Sequence, residues 1–291
     1  MKKKFILILI LLFISACSNN TESDKQIKIA VTIPPLGEFV DEIGGDDVDT
    51  TILVPPGANP HTYEPSPSQL TLLSEADFLV IVGTPIEFEL VWLDKLVSVN
   101  KDIIVINSSD GINLIENEED HSRHEEDHSG HEEDHSELDP HVWTSPANAK
   151  TMVKNIYESL GNEDFLDNFN EYNERLDDLD LKFKNIIKEK QQKKFLVFHP
   201  AWGYLSQEYD LTQISLEHEG KEITAKNIRD VIDTAKQENI NVIFASPQFS
   251  TESAQVIARE INGQVLLIDP MDRNYTDNLN NIADTFDKVL Q

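Results

Sequence analysis

Four side chains scattered along the chain, the imidazoles of His61, His141 and His199 and the carboxylate of Asp269, are of the types that hold a divalent cation. Three nitrogens and one oxygen suit zinc, a borderline ion that settles in tetrahedral sites. A set of four protein ligands leaves no position for an activated water, so the chemistry it points to is holding an ion rather than hydrolysing with it. Thiolate chemistry is excluded from the body of the chain, because its single cysteine is Cys17.

The local sequence around each candidate is ordered rather than loose. His61 lies in Val54-Pro55-Pro56-Gly57-Ala58-Asn59-Pro60-His61-Thr62-Tyr63-Glu64-Pro65, where prolines stiffen a turn. His141 sits in Asp139-Pro140-His141-Val142-Trp143, and His199 precedes Pro200-Ala201-Trp202-Gly203-Tyr204. Asp269 precedes Pro270. Each has an ordinary alternative when taken singly: a histidine beside a tryptophan is often a packed, hydrogen-bonded side chain, and Asp-Pro after a strand is often a cap or turn. Glu217 is a second candidate for the fourth ligand, and His218 reads as a surface residue or a neighbour of the site.

The elements that would have to bring these residues together read as α/β. Short β-branched runs alternate with amphipathic stretches in two blocks, the mark of layers built on parallel strands. Strands are expected at Ile27 to Thr32, Thr50 to Val54, Phe78 to Val82 and Ile103 to Ile106. A second set is expected at Phe195 to His199, Thr212 to Leu216, Asn241 to Ala245 and Gln264 to Asp269. Four strands each predict two similar lobes, 27–161 and 192–291, every sheet flanked by helices. Between them 162–191 lacks Gly and Pro, and Phe165, Phe169, Tyr172, Leu176, Leu179, Phe183 and Ile187 recur at three- and four-residue steps. This predicts one long connecting helix, roughly 40 Å from end to end. In parallel sheets ligands gather at the carboxyl ends of the strands. His199 and Asp269 fall at such ends, and His61 lies in the turn leaving the second strand.

The amino terminus fixes the compartment. Lys2, Lys3 and Lys4 precede an apolar run from Phe5 to Ile14, too short to span a bilayer, and Ser15-Ala16 leads to Cys17. Residues 1–16 read as a signal peptide. Ile14-Ser15-Ala16-Cys17 resembles a bacterial lipobox, which implies a lipid on Cys17 and a short tether over 17–26. With 53 acidic against 24 basic residues, a formal charge of −29, the surface repels nucleic acid and attracts cations without selecting among them. Five of the nine histidines, His121, His124, His128, His131 and His135, lie in a seven-residue repeat of Glu-Glu-Asp-His-Ser type. The repeat has no apolar position, so 116–138 is expected to be a disordered loop with auxiliary, weak affinity for metal.

These segments resemble the solute-binding proteins of the cluster A-I (cluster 9) metal ABC importers, in the zinc-uptake branch. The matching stretches are Pro55 to Pro67, Leu73 to Gly83, Asp139 to Pro146, His199 to Tyr204 and Ile268 to Pro270, in family order from end to end. Departures at Thr144 and Met271, where Leu is usual, flank the ligands. The resemblance implies that His61, His141, His199 and Asp269 are the metal ligands, and that the fold is two four-stranded lobes joined by a long helix. It further implies Zn2+ as transported cargo, a membrane permease and a cytoplasmic ATPase as partners, a monomer on the outer face of the membrane, and no catalysis. Manganese-type relatives carry a carboxylate where His199 stands, so the retained imidazole favours zinc. Manganese or iron as cargo, a zinc hydrolase with Glu64 as general base, and an adhesin with a structural metal are the competing readings.

Overall fold

The fold is given by a computed structural model that describes residues 26–116, 138–217 and 225–290, with 225–227 described for their backbone alone. Cys17, His121, His124, His128, His131, His135 and His218 lie outside the described residues.

Two parallel four-stranded sheets share one topology. In the first, β1 (Ile27–Val31), β2 (Val48–Ile52), β3 (Phe78–Ile81) and β4 (Ile104–Asn107) are ordered β2-β1-β3-β4. In the second, β5 (Lys194–Val197), β6 (Thr212–Ser215), β7 (Val242–Ala245) and β8 (Gln264–Leu267) are ordered β6-β5-β7-β8. Each order reverses direction once, between β1 and β3 and between β5 and β7, and the crevice beyond such a reversal is where open α/β sheets bind ligands. The central strands carry unbroken apolar runs, Phe-Leu-Val-Ile in β3 and Val-Ile-Phe-Ala in β7, as sheets covered on both faces require.

All eight expected strands are present, and the sheets are flanked by helices α1 (Pro34–Gly44), α2 (Pro67–Leu73), α3 (Glu87–Val99) and α4 (Pro146–Leu160) in the first half. The second half contributes α6 (Gly203–Tyr209), α7 (Ala225–Gln237), α8 (Glu252–Glu260) and α9 (Tyr275–Val289). The joining helix α5 runs Leu166–Ile187, after a 3-10 turn at Glu163–Phe165 that Asn162 opens by accepting from the amide of Asp164 at 3.1 Å. Its 22 residues span about 33 Å, shorter than expected because the first turn is not α-helical.

One face of α5, Tyr172, Leu176, Leu179, Phe183 and Ile187, is buried. That stripe packs on α1 and α4 from the first half and on α6 and α9 from the second. As a result one apolar core runs without a break from Ile29 and Phe39 through Tyr172 and Phe183 to Phe195 and Phe286. A smaller core, including Leu196, Ile243 and Ile257, lies on the other side of the second sheet. Opening the molecule like a hinge would tear the larger core, so both halves form a stiff mount for whatever lies at their seam. Among the described residues no helix is long and apolar enough to cross a membrane.

Candidate metal centre

The seam is built from three loops. After β2 the chain turns at Pro55-Pro56-Gly57, where Gly57 takes φ +81°, a conformation that glycine adopts without steric cost. The backbone amide of His61 donates to Asn59 Oδ1 at 2.9 Å, which sets the imidazole's departure from the turn. Downstream, Ser66 and Gln69 form a reciprocal cap on α2, and Gln69 Nε2 reaches back to the carbonyl of Leu53 at 2.5 Å. The loop bearing His61 is therefore tied at both ends.

His141 lies beyond an antiparallel bridge between Glu116 and Leu138, in a turn that Asp139 organises by accepting from the His141 amide at 2.8 Å. Thr84 Oγ1 donates to the carbonyl of Pro140 at 2.8 Å, holding that turn to the first sheet. His199 follows β5 by two residues. The amide of Phe198 still donates to Phe244 O at 2.7 Å, so the strand's pairing continues up to His199 after its regular geometry has ended.

These loops bring His61, His141 and His199 together, with one ligand atom from each lying within 4.8 Å of the others. The rings sit 5.0 Å (His61 to His199), 5.1 Å (His141 to His199) and 6.2 Å (His61 to His141) apart between centroids. Between His141 Nε2 and His199 Nε2 the separation is 3.3 Å. Two nitrogens bound at zinc distances to one tetrahedral ion lie roughly 3.3–3.4 Å apart, so the pair is spaced as ligands. His141 and His199 are buried, and the His61 side chain, 21 % exposed, is the most open of the three.

Every imidazole has a carboxylate on its other nitrogen. Glu87 Oε2 meets His61 Nδ1 at 2.5 Å, Asp139 Oδ1 meets His141 Nδ1 at 2.7 Å, and Glu217 Oε2 meets His199 Nδ1 at 3.1 Å. An Nδ1–H donated to a carboxylate leaves Nε2 with its lone pair facing inward, the tautomer a metal needs. Burial chiefly, with the charges of His141 and His61 adding to it and Glu217 opposing, pushes the His199 imidazole down to about 4, so it stays neutral and available. Burial works to raise the Glu87 carboxyl, yet the hydrogen bond and the electrostatic attraction from the His61 ring outweigh this and hold Glu87 below its usual range.

Behind the half-exposed Glu87 a buried carboxyl, that of Glu89, fixes the start of α3. Glu89 accepts from Thr32 Oγ1 at 2.6 Å and from the amides of Val82 and Gly83 at 2.7 and 2.9 Å, knotting the ends of β1 and β3 to the helix that carries Glu87.

Asp269 stands apart from the triad; it is not among the residues whose ligand atoms meet within 4.8 Å. Its Oδ1 accepts from Gln248 Nε2 at 2.7 Å and from the Met271 amide at 2.8 Å. Burial raises its carboxyl, against the bonds from Gln248 and Met271, which lower it. Glu217, the other candidate for fourth ligand, is engaged behind His199 instead. Glu64 is not part of the group. Of the three orienting carboxylates, sequence reading named only Glu217 and gave it another role. Asp139, two residues before its histidine, carried the one local signal; Glu87, 26 residues from His61, carried none.

The chain is similar to known proteins over most of its length. The family model for ZnuA, the periplasmic component A of the zinc-uptake complex, matches residues 29–289. The high-affinity zinc uptake system protein ZnuA of Bacillus subtilis is 30 % identical over 282 residues, covering 92 % of this chain and 88 % of that protein. The zinc-binding lipoprotein AdcA of Streptococcus pneumoniae is 29 % identical over 94 % of this chain, which spans 56 % of AdcA's length. A crystal structure of ZnuA superposes with a TM-score of 0.82 at 36 % identity, covering 91 % of this chain and 99 % of that one. A zinc-bound deletion mutant of ZnuA gives the same score at 35 % identity, covering 92 % and 99 %. With a fold, a histidine triad and a family match that spans both sheets and the helix between them, the chain belongs to the ZnuA family of zinc-uptake components.

Proposed function

We propose that this protein captures Zn2+ outside the cytoplasm at His61, His141 and His199, with Asp269 as fourth ligand, and passes it to a membrane permease driven by a cytoplasmic ATPase. The observation that carries the reading is the 3.3 Å spacing of His141 Nε2 and His199 Nε2, backed by a carboxylate on each Nδ1. Two Nε2 lone pairs facing each other at that distance repel unless a metal ion or a shared proton lies between them. Imidazole nitrogens favour zinc over the harder manganese.

The ion is cargo rather than catalyst. Three histidines and one carboxylate complete a tetrahedron without an open position for water, so no hydrolytic role is assigned. A lipid on Cys17 would tether the chain to the membrane, and the histidine-rich segment around His121 to His135 would raise the local zinc concentration beside His141. Delivery of the ion does not proceed by parting the two halves, since the continuous core across them resists hinge opening, so the partner permease acts on the loops at the seam.

Elemental analysis of protein purified without added metal, combined with competition between zinc and manganese, tests the reading. Zinc in about equimolar amount, and loss of tight binding in His199→Ala with an unchanged circular dichroism spectrum, is the expected result. A metal-free protein that ignores zinc in calorimetry overturns it.

A further inference from the structure

The segment from Ser246 to Thr251, which leaves β7, touches the centre at two points. Phe249 stacks on the His199 ring with centroids 4.6 Å apart and 29° between planes, and its ring lies 6.3 Å from that of His61. One residue earlier, Gln248 holds Asp269 through the 2.7 Å bond from Nε2 to Oδ1. The amide cannot be turned the other way, because its carbonyl would then face a carboxylate oxygen. That orientation leaves Gln248 Oε1 buried and, among the described residues, without a hydrogen-bond partner. A buried acceptor left unpaired favours any movement of the segment that exposes or satisfies it.

Access to the triad narrows to the same place. His141 and His199 are buried, so an ion arriving from solvent passes the more open His61. Phe249, itself partly exposed, flanks both His61 and His199. Its ring offers no ligand atom, and while it lies on His199 the approach on that side is closed. The single segment thus bears the cover of one ligand and the anchor of the carboxylate that stands outside the triad.

Resting on the metal-capture reading above, we propose that Phe249 is the gate of the triad and Gln248 the strut that couples the gate to Asp269. The ion enters and leaves when the 246–251 segment swings Phe249 off His199, and through Gln248 the same movement shifts Asp269 relative to the three imidazoles. Both residues are positioning residues; the ligands stay the histidines and Asp269.

Stopped-flow mixing of the full mature chain with Zn2+, and of the loaded protein with a chromogenic chelator, reads the gate directly. Phe249→Ala speeds both uptake and release by roughly tenfold, the scale set by losing one aromatic pair, and so changes equilibrium affinity only a few-fold. Phe249→Leu, which keeps a covering side chain, falls between it and the parent. Gln248→Ala slows release, because Asp269 no longer moves off with the segment when it opens. Unchanged rates in Phe249→Ala, or faster release with uptake unaltered, overturn the gate, and parent-like release in Gln248→Ala overturns the strut. A parent protein that binds no zinc defeats the metal-capture reading itself, whereas tight parental binding with unaltered variant kinetics defeats only this inference.

Discussion

Trp143 Nε1 donates to the carbonyl of Pro270 at 2.7 Å, joining the turn that carries His141 to the loop that carries Asp269. The bond is returned from the second half by Tyr275, whose hydroxyl donates to Trp143 O at 2.8 Å. All three residues are buried. The turn of His141 and the loop of Asp269, the two proposed ligands joined here, are thus held in fixed relation by a hydrogen-bonded indole. Trp143→Phe keeps an aromatic side chain but leaves the Pro270 carbonyl without its donor, a cost of about 1–3 kcal/mol, to which the smaller ring's poorer filling of a buried position adds. For a chain of this size the melting temperature of the metal-free protein should fall by roughly 2–4 °C per kcal/mol. Zinc affinity should weaken as well, which calorimetry on the same variant would detect; an unchanged melting temperature would show that the bond is idle.

The carboxylates behind the histidines give a graded expectation. Glu217→Ala strips the partner from His199 Nδ1 while leaving all ligand atoms in place, and such losses weaken metal binding by about 10–100-fold. Glu87→Ala should do less, because its carboxylate is about half exposed and water can replace it. His199→Ala removes a ligand and should exceed both. Zinc affinities measured by competition with a fluorescent chelator would order the three variants, and a Glu217→Ala protein equal to the parent would refute the orienting role.

How far these features could be read in advance differs by feature. The strands were legible because short β-branched runs separated by helical periodicity admit few alternatives. Their ends ran two residues long at β5 and β8, since Phe198 and Ile268 still donate to Phe244 and Ala245 although the chain has begun to turn. The triad histidines stood out because each sits in a loop marked by proline. Glu87 did not, being 26 residues from the histidine it orients in a chain with 53 acidic residues, and Glu217 was legible only as a candidate ligand, not as the partner of His199, 18 residues away. Asp269 was legible as a strand-end acid, but its bond to Gln248 depends on how two loops meet, which no local pattern encodes.

Two buried groups should shape the pH dependence of the metal-free protein in opposite directions. Burial raises Glu89 to about 7 against the lowering effect of its bonds to Thr32, Gly83 and Val82. The folded protein then holds a proton that the unfolded chain releases at ordinary carboxylate pH, so stability falls as pH rises from about 4.5 to 7, by up to about 3 kcal/mol. His199, pushed down to about 4, works the other way: the unfolded chain takes up a proton first, and stability is lost as pH falls from about 6.5 to 4. The two slopes nearly cancel between about 4.5 and 6.5, so thermal melts of the parent should be flat across that window. In Glu89→Gln, an isostere of the protonated acid, only the His199 contribution is left and stability should rise with pH over it; a variant as flat as the parent would place the origin elsewhere.

Gly203 offers a way to disturb the centre without touching any ligand. It opens α6 in the second half and packs directly on the carboxylate of Asp139 from the first, so that a Cβ at this position would drive into Asp139 Oδ2 and meet Ile115 Cδ1 at 3.2 Å. Asp139 is 2 % exposed and already binds the amide and ring of His141, which leaves it little freedom to withdraw. Gly203→Ala should therefore displace the orienting carboxylate and turn the His141 ring away from its 3.3 Å partner. The overpacking should cost about 1–3 kcal/mol in the metal-free protein, and zinc affinity should drop by about tenfold or more through the lost orientation. Combining Gly203→Ala with Asp139→Ala tests the route, because the second change removes the obstructing carboxylate and should recover stability but not affinity. Recovery of both would mean that Asp139 does not orient His141, and recovery of neither would place the damage in the packing of Ile115 and Gln213 around α6.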